Sequence, residues 1–442
     1  MILAQLKGRR GLRDVVANIG WMASDRIVRM GGGVIVGVAV ARYLGPDEFG
    51  LLNYALALYA IFNILSNLGL DQILVRDVVF FPDREPELLG TAFFLKAAAS
   101  ILTTLAAVAS TFILRPGDAE ARIIVALVSI AAVTQACDVI EFFFQAKTKS
   151  KYSVAAKNIA FVLASLARLW AVFAKAPLLT FAWIAAAEIA VGELGLFAAY
   201  RIYGRSLRAW RVSLPVARRL LIEGWPLMLS GLLVMIYMRT DQVLLGSLAG
   251  PHAVGEYTAA LRLSEIWYAI PVLVAASVMP KLLTLKTAQP RLYYFRLQRF
   301  YDCMAGTSIF LAISVTLCGR LAISLLYGAR YAEAAGILAI HIWTGVFVFA
   351  GVVSGQQMVH EDISRLQLQR SALGASLNVA LNYLLIPSYG AQGSAAATLA
   401  AQCVAGYFSD FLDRRLRHIF WMKTRAFVGY SFWRRPALAG LP

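Results

Sequence analysis

Apolar residues along this chain do not alternate with polar ones; they run together in stretches of about 20 or more, each long enough to cross ~30 Å of hydrocarbon as a helix. The first group covers Val15 to Tyr43, Phe49 to Leu68, Leu88 to Leu114, Ile123 to Phe144, Tyr152 to Ala174 and Leu178 to Arg201. After a basic segment the pattern resumes at Leu220 to Gly246, Val254 to Val278, Tyr301 to Leu326, Ala334 to Val359, Leu368 to Ile386 and Ala391 to Phe411. The two-residue period of a membrane barrel is absent, which excludes that class. The pattern predicts an all-α integral membrane protein with about 12 transmembrane helices in two six-helix lobes. We divide it as 1–203 for the first lobe, 204–219 for a basic cytoplasmic linker, 220–418 for the second lobe and 419–442 for a basic cytoplasmic tail.

Composition agrees, because 60% hydrophobic and 15% charged residues over 442 positions cannot be arranged as a water-soluble globule. Lys and Arg concentrate in alternate loops, while the opposite loops hold only Arg42, Arg115, Arg122, Lys175, Arg320 and Arg330. Basic loops stay inside, so the expected setting is a bacterial inner membrane with both termini cytoplasmic. The net charge of +17 is then explained by topology and by anionic membrane lipids, and no nucleic acid is expected as a partner. The stretch Lys7 to Arg13 before the first span, with no small-residue cleavage pattern, reads as part of a retained signal anchor. Cys137, Cys303, Cys318 and Cys403 form no close pair, and His252, His341, His360 and His418 are scattered, so neither a disulfide framework nor a metal site is expected. No phosphate-binding Gly-rich loop or nucleophile elbow occurs, and no cofactor or enzyme activity is expected.

The chain repeats itself. Gly20-Trp21 opens the first half and Gly224-Trp225 the second. About one helix later Gly45-Pro46-Asp47-Glu48-Phe49-Gly50 is echoed by Gly250-Pro251-His252-Ala253-Val254-Gly255, each running into a Tyr- and Ala-rich helix. In both copies Gly supplies the turn, Pro starts the next helix and the second Gly permits close packing. Halves with the same helix number and starting side make parallel repeats about an axis along the membrane normal.

Charges inside the spans are the functional signal. The first helix carries Asp25, Arg26 and Arg29, which at ~3 kcal/mol each near the bilayer centre cost on the order of 9 kcal/mol. These side chains must therefore face protein or water. Asp25 and Arg29 are one turn apart and can pair; Arg26 and Arg29 share a face. Lys96, Lys157, Arg168, Arg239 and Arg262 extend the set, with Lys157 close enough to a span end to snorkel. Guanidinium groups match phosphate geometry, so Arg26, Arg29, Arg168, Arg239 and Arg262 are candidate diphosphate ligands, with ion pairs between helices as the alternative. Asp25, Glu188, Asp241 and Glu265 are candidate pairing acids or carriers of a coupling H+ or Na+. Asp138, Glu141, Glu193 and Asp302 also oppose the cations. Asn63 with Asn67, and Asn378 with Asn382, stand one turn apart and can bond sugar hydroxyls or neighbouring helices.

Ala41-Arg42-Tyr43-Leu44-Gly45-Pro46-Asp47-Glu48-Phe49-Gly50 resembles the Wzx-type polysaccharide flippases, whose MATE-like superfamily also holds multidrug antiporters and the lipid II flippase. Asp241-Gln242-Val243-Leu244-Leu245-Gly246, Val254-Gly255-Glu256-Tyr257 and Ile386-Pro387-Ser388-Tyr389-Gly390-Ala391 are similar to that family too. The resemblance implies alternating access of two lobes that carry an undecaprenyl-diphosphate-linked oligosaccharide across the membrane, beside polysaccharide polymerase machinery. It implies that Arg26 and Arg29, with Arg239 and Arg262 from the other half, receive the diphosphate. A multidrug antiporter would share the fold but should present carboxylates to cationic drugs. A membrane-embedded glycan polymerase or ligase needs larger external loops than the ~15 residues found here. A structural scaffold would not need costly buried arginines.

Overall fold

In the computed structural model, residues 9–360 and 364–429 are described, except for the side chains of 9–20, 22–28, 30, 287, 359–360 and 364–365. Helix follows helix: α1 (Arg9–Asn67), α2 (Asp71–Phe80), α3 (Glu85–Leu114) and α4 (Ala119–Ala131) come first. A tight turn at Ala132–Asp138 leads into α5 (Val139–Ala146), then α6 (Lys151–Phe173) and α7 (Leu178–Ile202). The second half holds α8 (Leu214–Leu248), α9 (Gly250–Glu265), α10 (Ala269–Ala288), α11 (Pro290–Leu326), α12 (Ala334–His341) and α13 (Thr344–His360). It closes with α14 (Ser364–Cys403), a π turn at Val404–Phe408, α15 (Ser409–Leu412) and α16 (Arg417–Phe427).

Nine stretches among the described residues are long and apolar enough to cross a membrane. The number falls below twelve for two reasons. The first two expected spans join in α1, which bends where Gly45 takes φ 75° and Pro46 restarts the helix. The last two share α14, broken at Gly390, whose polar Asn, Ser, Gln and Thr residues dilute its hydropathy. The outward surface has the composition of a lipid-facing one. Helix α3 exposes Phe94, Leu102, Leu105 and Ile113 and buries Lys96, Ser100 and Thr111, the reverse of a helix in water.

The chain forms two compact units: Leu51–Arg239 with α1 up to Leu44, and Thr240 onward with Gly45–Gly50. The dividing point lies inside α8, not in the basic segment 204–219. That segment packs on α3, where the Arg211 amide donates to Pro86 O (3.2 Å) and the Ser213 amide to Thr91 Oγ1 (3.0 Å). The core of the first unit gathers Leu74, Leu89, Ile140, Phe143, Phe144, Leu196, Tyr200 and Leu220. The second unit is built on α10, α11 and α13, with Met279, Tyr293, Leu297, Tyr301, Phe349 and Val353. The segment expected as a tail begins with α16, which docks Ile419, Met422 and Ala426 onto that core.

The repeated Gly-Pro motifs meet inside the second unit. A Cβ on Gly50 would stand 1.8 Å from Pro251 O, and one on Gly255 would stand 2.0 Å from Pro46 O. Each copy therefore rests its second glycine on the proline carbonyl of the other. We expect Gly50→Ala and Gly255→Ala each to cost at least the ~1–3 kcal/mol of core overpacking. Gly31→Ala, with no atom of the described residues within 4 Å of its added Cβ, should cost far less. Thermal unfolding of the purified variants in detergent measures the difference; equal melting of all three would refute the contact.

Candidate functional site

In the first unit, four helices and one tight turn bring charges to a common depth. Lys96 lies eleven residues into α3 and Lys157 six residues into α6, about 16 Å and 9 Å from the same end of the unit. The turn at Ala132–Asp138 tightens the fourth span so that Asp138 and Glu141, three apart, share one face. Lys157 Nζ donates to Asp138 Oδ1 at 2.7 Å and also to Glu141. Lys96 Nζ donates to Asn67 Oδ1 at 2.9 Å and stands 3.7 Å from Asp138 Oδ2 and 5.1 Å from the centroid of Phe142. Glu193 of α7 is buried beside them. Lys157, close enough to a span end to snorkel, pairs with these two carboxylates and stays partly exposed.

Among the described residues of the first unit, Arg168 and Arg29 have different neighbours. Arg168 and Glu188 pair at 2.7 Å between α6 and α7, towards the opposite end of the unit. The Arg29 guanidinium lies 5.5 Å from the Phe161 ring of α6. Asp25 and Arg26 fall on α1, but their side chains lie outside the described residues. Arg239 is half-buried at the last position of the first unit. Asn63 lines a small pocket of about 10 Å³, room for about one water molecule, with Tyr59, Thr103, Thr104 and Ser129, whereas Asn67 is engaged by Lys96.

In the second unit Arg262 stacks on Phe49 at 5.0 Å, and Glu265 is half-buried at the end of α9. Asp241 accepts from Tyr257 OH at 2.5 Å and from the Gln242 amide at 2.7 Å. Tyr257 OH also lies 3.4 Å from Thr398 Oγ1, to which Asn378 Nδ2 donates at 3.2 Å. Asn382 donates to Asn378 O at 2.9 Å and accepts from Ser394 Oγ at 2.6 Å. Asn378 and Asn382 were candidates for sugar lining; they are fully buried and tie the two arms of α14 together across the Gly390 break. The reason is local: the turn at Gly390 folds the second arm back on the first, and buried side-chain amides and hydroxyls need one another as partners.

A third cluster was not anticipated. Lys423 of α16 is fully buried and donates to Asp410 Oδ2 (2.7 Å), Gly406 O (2.7 Å) and Ser354 Oγ (2.9 Å). Arg370 donates to Ala405 O at 2.9 Å and lies 3.5 Å from Asp410 Oδ1. The widened π turn offers the Ala405 and Gly406 carbonyls that both cations use. Arg370 inside an expected span was the available signal. Burial, with the Arg370 guanidinium beside it, pushes the Lys423 ammonium from the usual lysine range down to about 7.

Two cations thus share one carboxylate. Asp410→Asn, which strands both, should cost about 3–5 kcal/mol in thermal unfolding, and Lys423→Met much less. The folded chain gives up the Lys423 proton near pH 7, whereas the undocked chain keeps it to the ordinary lysine range. Undocking therefore takes up a proton between those limits, and docking of α16 strengthens as pH rises from about 7. Amide exchange of residues 417–427, corrected for intrinsic rate, should slow over pH 7 to 9 in wild type and stay level in Lys423→Met; a level wild-type profile would contradict it.

A family model described as polysaccharide biosynthesis protein matches residues 15–286. No curated protein matches the chain in sequence. Among solved structures, the chain is similar to an inward-facing multidrug resistance MATE family transporter of the MOP superfamily, with TM-score 0.66, 14% identity and coverage of 94% of this chain and 99% of that one. It is similar to the lipid II flippase MurJ in an inward closed conformation, with TM-score 0.66, 14% identity and 94% of each chain covered. A MOP superfamily transporter from Pyrococcus furiosus, described as having a binding pocket of reversed polarity, follows at TM-score 0.54, 15% identity, 93% of this chain and 95% of that one. At such identities the likeness shows the fold alone, the two-lobed all-α architecture of these membrane transporters.

Proposed function

Because the chain belongs to the polysaccharide biosynthesis protein family, we propose that it flips an undecaprenyl-diphosphate-linked oligosaccharide from the cytoplasmic to the periplasmic leaflet of a bacterial inner membrane. The family match is the observation that carries the reading. The cationic first helix supports it, since a diphosphate head group needs cations in a low-dielectric site and guanidinium forks hold phosphate oxygens in pairs. Arg26 and Arg29 are the first ligands in this proposal. Arg239 and Arg262 complete the set at another stage of the cycle, and Arg168 contributes once its pairing with Glu188 is exchanged.

Substrate enters with its lipid tail still in the bilayer, and only the head group crosses through protein. In this proposal both termini lie in the cytoplasm, and the product meets the polymerase machinery outside. Transport uphill requires coupling to H+ or Na+. In the second unit Asp241, which accepts from Tyr257 OH and the Gln242 backbone amide at the head of a chain that runs on through Thr398 to Asn378, is the acid best placed to carry that ion. Asp25, Glu188 and Glu265 are the other acids of the proposal. A multidrug antiporter is the second reading, favoured by the equal structural likeness to a multidrug transporter.

The test is the lipid-linked sugar content of each leaflet in cells that lack the protein, or that carry wild type or Arg26→Ala/Arg29→Ala. We expect accumulation in the inner leaflet that wild type relieves and the double variant relieves at least tenfold less. An unchanged leaflet distribution would overturn the flippase reading and favour drug efflux. Normal flipping with unpolymerised glycan outside would instead indicate an enzyme of polymerisation.

A further inference from the structure

The buried cluster of the first unit carries more acid than base. Asp138, Glu141 and Glu193 share it with two ammonium groups, Lys96 and Lys157. Lys157 is spent on Asp138 and Glu141, and Lys96 is directed to Asn67 and, more distantly, to Asp138. Glu193 is 4% exposed, and its Oε2 has no hydrogen-bond partner among the described residues. Its carboxyl interacts with that of Asp138. The other titratable groups around the pair are Tyr59 from α1 and Cys137 from the tight turn; Asp71, beside Asn67 and Lys96, adds a further carboxyl at the edge.

With all three inner carboxyls ionised, the cluster would hold an uncompensated negative charge inside the hydrocarbon zone. Something positive must balance it. A metal cation fits badly, because the ammonium of Lys157 at 2.7 Å from Asp138 and that of Lys96 at 3.7 Å repel it. A proton fits well: it neutralises Glu193 and gives the pair one donor hydrogen to share, as two carboxyls in contact cannot both ionise. We propose that Asp138 and Glu193 form a proton-binding site within the first unit, holding one proton between them, and that its release and reloading accompany each transport cycle.

The binding part stands on the cluster itself; the link to transport rests on the flippase reading. It assigns coupling to residues apart from Asp241. The flanking lysines have a definite part: when Lys96 closes its 3.7 Å gap to Asp138 the shared proton is expelled, and when Lys96 or Lys157 retreats the site reloads. Bond balance is simple, since the only event is transfer of one proton between the carboxyl pair and water.

The experiment compares wild type, Glu193→Gln and Glu193→Asp. Infrared difference spectra of the purified proteins against pH read the carbonyl band of a protonated carboxylic acid. Reconstituted vesicles read flipping of a polyprenyl-diphosphate sugar with and without a pH gradient. We expect wild type to show a buried-acid band that titrates, Glu193→Asp to keep it at a shifted position, and Glu193→Gln to lose it. In vesicles, the gradient should accelerate wild type several-fold and leave Glu193→Gln unchanged. A spectrum without a protonated carboxyl, or a band unaffected by Glu193→Gln, would overturn the site. A band that behaves as expected with wild-type flipping indifferent to the gradient would overturn the coupling. If wild type flips no lipid-linked sugar at any pH, the flippase reading falls and the site is judged by its spectrum.

Discussion

Charge neutrality in a medium without water governs the interior of this protein. A charged side chain at the bilayer centre costs ~3 kcal/mol or more, so each must find an opposite charge, an array of dipoles or a proton. Arg168 and Glu188 meet the demand one to one. The cluster at Asp138 has one acid too many, and the cluster at Asp410 has one cation too many. In each case the remainder is met by protonation chemistry: Glu193 in the first unit takes a proton, and Lys423 in the second gives one up near pH 7. Arginine cannot yield its proton, so the lysine does.

The backbone obeys the same constraint. Across the break of α14 at Gly390, buried Asn378, Asn382, Ser394 and Thr398 hydrogen-bond one arm to the other, and where the chain widens at Val404–Phe408 two cations use the released carbonyls. The Gly-Pro motifs offer no side chain at their contact, so backbone meets backbone directly. A duplicated sequence thereby becomes a reciprocal contact, each copy seated on the other.

The spans were legible because a stretch of about twenty apolar residues has few alternatives to a membrane helix. The repeat was legible because Gly and Pro are needed by geometry at both copies. Partner choice was not legible. Lys96 and Lys157 are sixty-one positions apart, and only the depth of each within its own helix reveals that they meet Asp138 together. Asn378 and Asn382 had the spacing of a lining pair, but spacing along a helix does not say whether its face is turned to a cavity or to another helix arm. The α16 helix was hidden by its charge: Arg417, Lys423 and Arg425 read as a cytoplasmic tail, whereas Ile419, Met422 and Ala426 place one face on the core.

The proposed flipping of lipid-linked sugars rests on family membership and on arginines carried by the first helix at high cost. Its most direct test is binding, by native mass spectrometry of the purified protein with undecaprenyl diphosphate, undecaprenol and a cationic drug offered in turn. The account predicts a complex with the diphosphate lipid, weakened at least tenfold in Arg26→Ala/Arg29→Ala, and little with the neutral alcohol or the drug. Equal retention of the neutral alcohol, or preference for the drug, would contradict it.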